Sequence, residues 1–466
     1  MSFFIPCGFI LPFGRDIISG MTDNKFSISD KLPEKLISAF GTAALAAVFA
    51  LWCARSGYGA VGYTAAVISV LAMLVLCLRF VPSFCAFLRD GGDCNCDAVP
   101  QAEGGICAEI FAFILLWDGF ILILGFILRR IFGYCEDAGS YLNFWLCTDS
   151  QHYMDIARDW YLSDGSMDRL VQLVFLPGYP IAVRILSYIS GSCLSAGFII
   201  SGVCFAGSGV MLYKLLRFDM SGSRALRAVK FFALCPAAFF FAAPMSESLF
   251  ILCTLSCLYL VRRGRVFTGS ILGAYAAFTR SLGIILIVPV FLELVHRRAK
   301  VREYLAIIII PLGFAAYCLV NYAVSGDAFK FTEYQSEHWG QQLGWFFNTA
   351  AYQTENAVSC FSSNAPYFWG LWLPNLLAQI FSFAVIIAAA RKLRASYTAY
   401  FIAYFAVAIG ATWLLSAPRY LAAMISLPAA IGAFNLRPRS EKILLALSAA
   451  FLLAYFSAFL LRWQVW

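Results

Sequence analysis

The chain has 466 residues, of which 61% are hydrophobic and only 13% charged, with a mean hydropathy of +0.78; a soluble chain of this size would carry about 25% charge. Its net charge is +8, but the Lys and Arg residues sit in short separate clusters without a long basic face, which argues against a nucleic-acid partner. Apolar runs of the ~20 residues needed to cross a hydrocarbon core recur along the chain, and the alternating segments of a porin-like barrel are absent, so the fold class is all-α and polytopic in a membrane.

In chain order, residues 1–35 form an N-terminal segment that lacks the basic n-region of a signal peptide, its polar part from residue 14 reading as cytoplasmic. Residues 36–106 hold two apolar spans, 36–55 and 60–80, and a loop with Cys94, Cys96 and Cys107, for which a disulfide, a metal site and plain thiols all stay open. Residues 107–435 read as one membrane domain with spans near 107–130, 194–214, 226–243, 247–261, 303–323, 370–390, 397–416 and 419–435; residues 436–466 add a last span, 443–462. Two stretches are irregular. At 174–193, Pro177 and Pro180 interrupt helical hydrogen bonding, leaving a full or a re-entrant span open. At 266–296, about 31 residues give only ~46 Å of helix, too little for two ~30 Å crossings, so two short helices are expected to meet at FTRSLG, 278–283.

Basic clusters at Arg262–Arg265, Arg297–Arg302, Arg391–Arg394 and Arg437–Lys442 mark the cytoplasmic side. The loop 131–173, PMSES (244–248), the loop 324–368 and SAPRY (416–420) then fall outside, and FTRSLG approaches the same face. The unusual polar residues therefore converge on one boundary, where buried or half-buried charge serves anchoring or chemistry.

The segment TDSQHYMDIARDWY, 148–161, is the most polar of these. On a helical wheel Tyr153, Ile156, Ala157 and Trp160 share one face, while His152, Asp155 and Asp159 share the other, with Arg158 at its edge. This is the pattern of an amphipathic helix lying aromatic side down in the interface. Asp149 stands at its start, either as an N-cap or as a carboxylate facing a substrate, and the two roles are compatible. Glu247 begins a span, either as a charge complementing a helix N-terminus or as a positioning group. Arg280 reads either as a buried salt-bridge partner, with Glu247 the candidate, or as an anion site, and Arg419 as an interfacial snorkel or an anion site. In the loop 324–368, Trp339, Trp345, Gln341, Gln342 and Asn348 have the composition of a sugar-binding surface, flat rings beside amides, although aromatic residues crowd any membrane interface. His338 has no paired ligand.

The order of Asp149-Ser150 with its aromatic continuation, FLPGYP (175–180), CPAAFFFAAPMSESLF (235–250), FTRSLG and SAPRY resembles the PIG-V-like mannosyltransferases, the family of GPI mannosyltransferase II and its bacterial relatives within the GT-C superfamily. The resemblance spans roughly residues 107–435. It departs at Thr148, where the family shows Trp, and at Met245, where an aromatic is frequent. It implies a GT-C bundle of about 11–13 transmembrane segments with an interfacial helix in an external loop. It also implies an inverting transfer of a sugar, mannose in the family, from a polyprenyl-phosphate donor (dolichyl-phosphate mannose in eukaryotic members) to a glycolipid or envelope-glycan hydroxyl on the outer or lumenal face. Asp149 would be the general base, and Arg419 first and Arg280 second would receive the donor phosphate. Glu247, His152, Asp155, Tyr420, Trp339, Trp345 and Gln341 would position substrate. No cofactor or metal is implied. The reading favours a bacterial plasma membrane, or the endoplasmic reticulum membrane in a eukaryotic host. The rival is a transporter or flippase of lipid-linked sugars, which also uses broken helices but concentrates polar residues near the midplane.

Overall fold

The computed structural model describes residues 32–91, 104–161 and 171–465. Cys94 and Cys96 lie outside the described residues; Cys107 is a free thiol. The chain divides into two units, 1–54 and 55–466. In the first, the described residues form the apolar helix α1, Leu32–Cys53. The second holds the remaining described helices: α2 Ala60–Arg89, α3 Gly104–Ile131, α4 Ala138–Phe144, α5 Asp149–Asp159, α6 Gly178–Ser190, α7 Cys193–Leu216, α8 Gly222–Leu234, α9 Glu247–Arg262 and α10 Val266–Thr279. There follow α11 Ser281–His296, α12 Val301–Ser325, α13 Lys330–Trp339, α14 Phe346–Ser363, α15 Ala365–Ala389, α16 Ala395–Ala408, α17 Ala417–Ala422, α18 Ser426–Ala433 and α19 Pro438–Leu460. The only β-pairing among the described residues is an isolated antiparallel bridge between Leu343 and Ala411.

Seven of these helices, α1, α2, α3, α7, α12, α15 and α19, are long and apolar enough to cross a membrane, and three shorter apolar helices, α10, α11 and α16, accompany them. This is an all-α, multi-pass membrane protein. Where apolar sequence fails to give one continuous helix, proline chemistry accounts for the break. The stretch expected as a span at 226–243 stops at Leu234, because Cys235 precedes Pro236 and is driven to an extended conformation (φ −63°, ψ 149°); a 3-10 turn, Ala238–Phe241, follows. The expected span 419–435 is two short helices, and the break falls at Met424, whose carbonyl Pro428 cannot serve for want of an N–H.

The 266–296 stretch is broken at Arg280, which is extended (φ −148°, ψ 135°), as the length argument required. A Cβ at position 283 would overlap the backbone of Ala277, so Gly283 permits the chain to fold back on α10 there. At 174–193 the structure has a 3-10 turn, Val171–Val174, and then α6, whose Pro180 lies in the first turn, where the missing N–H costs nothing. The loop 324–368 is not a loop but largely the helices α13 and α14.

The basic clusters are less solvated than their composition suggests. Arg262 and Arg394 belong to a buried network with Asp219 and Glu293. Arg262 binds Asp219 directly, Arg394 Nε and Nη2 reach Glu293 at 2.6 and 2.8 Å, Ser396 Oγ donates to Glu293 at 2.5 Å, and Tyr397 OH reaches Asp219 at 3.2 Å. Every carboxylate is paired, so the network clasps the ends of α7, α9, α11 and α16 together. Arg262 closes the same helix that Glu247 opens, so clasp and candidate site stand about 22 Å apart along α9.

Candidate active site

Four of the five motifs meet at one cavity. α5 starts at Asp149 after Thr148, which sits at φ +53° and provides no side-chain cap. Asp149 is thus the first helical residue rather than the N-cap; its carboxylate faces the positive end of the helix and is free to bind elsewhere. Glu247 is likewise the first residue of α9. Arg280 lies on the extended break between α10 and α11, and Arg419 in α17, which is anchored where Ala417 N donates to Asn375 Oδ1 at 2.9 Å.

Arg419 joins the two carboxylates. Its Nη2 is 2.7 Å from Asp149 Oδ2 and its Nε 3.3 Å from Glu247 Oε1. Arg280 Nη1 reaches the same Glu247 oxygen at 2.5 Å and donates to Ser246 Oγ at 3.1 Å, and Ser246 in turn shares a 2.9 Å bond with Tyr153 OH. The Arg280 guanidinium lies over the Tyr420 ring at 5.0 Å. Glu247 is 1% exposed and Arg419 5%, so Arg419 is not an interfacial snorkel. The Asp149 side chain, 26% exposed, is the accessible end of the chain Asp149–Arg419–Glu247–Arg280. Two guanidiniums against two carboxylates balance the local charge, and Glu247 Oε2 lacks a hydrogen-bond partner, which leaves acceptor capacity at the site.

This cluster lines a cavity of about 310 Å³ whose wall includes Asp149, His152, Tyr153, Phe175, Leu176, Thr279, Arg280, Ser281, Gln335, Trp339, Gln341, Ser416, Arg419 and Tyr420. His152 stacks on Phe175 with ring centres 4.5 Å apart, and burial lowers the pKa of its imidazole against the opposing pull of Asp149 and Asp155. Of FLPGYP, Phe175 and Leu176 line the cavity, and Pro177 and Pro180 are not part of the lining. Tyr161 OH donates at 2.5 Å to the Phe175 carbonyl, Tyr317 OH at 2.5 Å to that of Leu173 just before the motif, and Tyr275 OH at 2.8 Å to that of Gly178.

Of the residues singled out from sequence, the cavity gathers Asp149, His152, Arg280, Trp339, Gln341, Arg419 and Tyr420, with Glu247 behind the arginines. Two stand apart. Asp155 is tied to Arg158 at 2.5 Å and Asp159 to the same arginine at 3.2 Å, so these carboxylates are held by Arg158 rather than turned to a common point with His152. Trp345 stacks on Phe347 at the start of α14. The apolar face of α5 (Tyr153, Met154, Ile156, Ala157) is buried against α6 and α7, not laid into a membrane interface. Tyr153 and Ser246 are polar site members that the wheel assigned to an apolar face or passed over; their hydroxyls find each other only in the fold.

The fold and this cavity define a multi-pass membrane protein with a buried two-arginine, two-carboxylate centre. The family described as Mannosyltransferase (PIG-V) has a model that matches residues 136–352, and over that stretch, which carries Asp149, Glu247 and Arg280, the resemblance marked by the motifs is borne out. Two curated relatives are both GPI alpha-1,6-mannosyltransferase 2: that of Homo sapiens is 29% identical over 154 residues and that of Mus musculus 31% identical over 148. Each match covers 29% of this chain and 29% of the relative, so the chain spans under a third of the length of the curated relatives it matches. No solved structure matches.

Proposed function

We propose that the protein is a GT-C-type mannosyltransferase that moves mannose from a polyprenyl-phosphate donor to a hydroxyl of a glycolipid or envelope glycan. The observation that carries this reading is the Arg419 bridge, a guanidinium suited by its fork of donors to phosphate oxygens and held 2.7 Å from an accessible carboxylate in a cavity that also holds Arg280 and Tyr420. Asp149 takes the proton of the acceptor hydroxyl as its oxygen bonds to the anomeric carbon. The bond from that carbon to the phosphate oxygen breaks, and polyprenyl phosphate leaves with the electron pair. The new negative charge falls to Arg419 and Arg280, whose orientation Glu247 maintains before the substrate arrives. Displacement of this kind inverts the centre, so an α-mannoside, the linkage in the relatives' names, requires a β-linked donor.

The clasp of Arg262 and Arg394 at the far end of α9 supports a site on the outer or lumenal side, since basic residues stay on the cytoplasmic side. The test is release of polyprenyl phosphate by purified protein in nanodiscs, given α- and β-linked polyprenyl-phosphate sugars and a membrane glycolipid extract. Release by the wild type from the β-mannosyl donor, and its loss in Asp149→Asn, is the expected result. Translocation of the donor without release would establish the transporter instead.

A further inference from the structure

Beside the reaction cavity lies a second one, of about 340 Å³, walled by His338, Trp339, Gly340, Trp413 and Leu415; Trp339 and Leu415 belong to both. The volume lies in the range of small-ligand sites, ~300–1,000 Å³. Trp413 is its unusual member. Its backbone is left-handed, φ +51°, a conformation that bulky residues avoid, and its side chain is left 46% exposed.

Both features are enforced. Thr412 N donates to the Gln342 carbonyl at 2.9 Å and Gln342 N to Thr412 Oγ1 at 2.8 Å, and Thr412 Oγ1 donates to the Gly340 carbonyl at 2.8 Å. Beyond Trp413, Tyr352 OH donates to the Leu414 carbonyl at 3.2 Å and accepts from Leu414 N. The indole itself rests on the Tyr352 ring, 5.9 Å away and nearly parallel. A clasp between 340–344 and 410–414 thus holds a strained residue in place so that its ring stays presented at the cavity. Strain kept by surrounding bonds points to use at a site.

We propose that the Trp339–Trp413 cavity binds a pyranose ring of the acceptor, with a C–H face of the sugar stacked on an indole and its hydroxyls directed to polar groups at the rim. Gln341 is placed for this, since its amide already joins Gln335 and the Trp413 carbonyl at 3.1 and 3.5 Å and lines the reaction cavity as well. The shared wall lets one sugar sit beside Trp413 while the hydroxyl of the same glycan reaches Asp149. The acceptor assignment rests on the mannosyltransferase reading; sugar binding at Trp413 does not.

The experiment is saturation-transfer NMR on the full chain in nanodiscs, with methyl α-mannoside, methyl β-glucoside and methyl β-galactoside as probes. Saturation of ring C–H protons is expected in the wild type. In Trp413→Ala binding weakens on the order of tenfold, in line with one lost aromatic contact. Trp413→Phe, which keeps a ring, retains most of it. Trp369→Ala, which removes an exposed tryptophan outside both cavities, leaves the signal intact. No sugar signal in the wild type, an undiminished signal in Trp413→Ala, or an equal loss in Trp369→Ala overturns the proposal. Absence of polyprenyl phosphate release with sugar binding retained at Trp413 would sink the transferase reading alone. With transfer active, Trp413→Ala raises the acceptor KM and leaves the donor KM in place.

Discussion

Glu247 is the pivot of the charge cluster, and its replacement by Gln is the sharpest test of how the cluster is built. The substitution keeps the shape and removes the charge from a side chain 1% exposed that faces Arg280 at 2.5 Å and Arg419 at 3.3 Å. At an effective dielectric constant near 20 the two lost attractions are about 7 and 5 kcal/mol in gross terms. Most of that is offset by the desolvation of the carboxylate, which the variant no longer bears, so the net cost is that of orphaning a buried guanidinium, about 3–5 kcal/mol. Thermal unfolding can be followed with a thiol-reactive dye, because Cys204, Cys235, Cys253 and Cys257 are buried and react only on opening. The midpoint in Glu247→Gln should fall by about 3–5 °C. Removing the arginine as well, in Glu247→Gln/Arg280→Gln, should recover part of the loss, since a neutral pair leaves no uncompensated charge. A single variant that melts with the wild type, or a double variant worse than the sum of its parts, would refute the view that Glu247 holds the arginines by charge.

Asp149→Asn is expected to lower transfer by roughly 10²–10⁴-fold, the range of a lost general base, with donor binding retained; an active variant would remove Asp149 from that role. Arg419→Lys cannot span Asp149 and Glu247 with one ammonium, so transfer should fall on the order of 10²-fold with a raised donor KM, read in the same release assay. Gly178→Ala would set a Cβ 2.5 Å from Thr279 Oγ1 and 2.9 Å from the Phe278 carbonyl, pushing α6 away from the Arg280 segment; a stability loss of ~1–3 kcal/mol should appear as a lower unfolding midpoint. His152 has a pKa lowered mainly by burial. Its neutral form is therefore favoured in the fold, and its contribution to stability is complete above the unfolded value near 6.5 and declines as pH falls below it. His152→Phe, which preserves the stack on Phe175, should flatten the loss of thermal stability between pH 6.5 and 5; an unchanged pH profile would remove His152 as the source.

The class of the protein was legible in the sequence because lipid imposes it. With no water to satisfy backbone groups, long apolar runs must become helices, and the seven long spans follow from length and composition alone. The break at Arg280 was legible for a similarly local reason: the residues between the flanking basic clusters are too few for two crossings. Motif order likewise carried the resemblance that the PIG-V match bears out over 136–352. Other features depended on distance in the fold. Whether Asp149 caps its own helix or reaches Arg419, 270 residues away, is decided by where α17 packs, and no local propensity encodes that. Asp155 and Trp345 have suitable chemistry but the wrong direction, turned to Arg158 and Phe347. Trp413 drew no notice in sequence, because neither its left-handed backbone nor the clasp that enforces it exists until 340–344 and 410–414 meet. Composition determines which residues can bear charge or stack on a sugar; tertiary packing decides which of them face one another, because a buried charge is stable only beside the partner that the fold delivers.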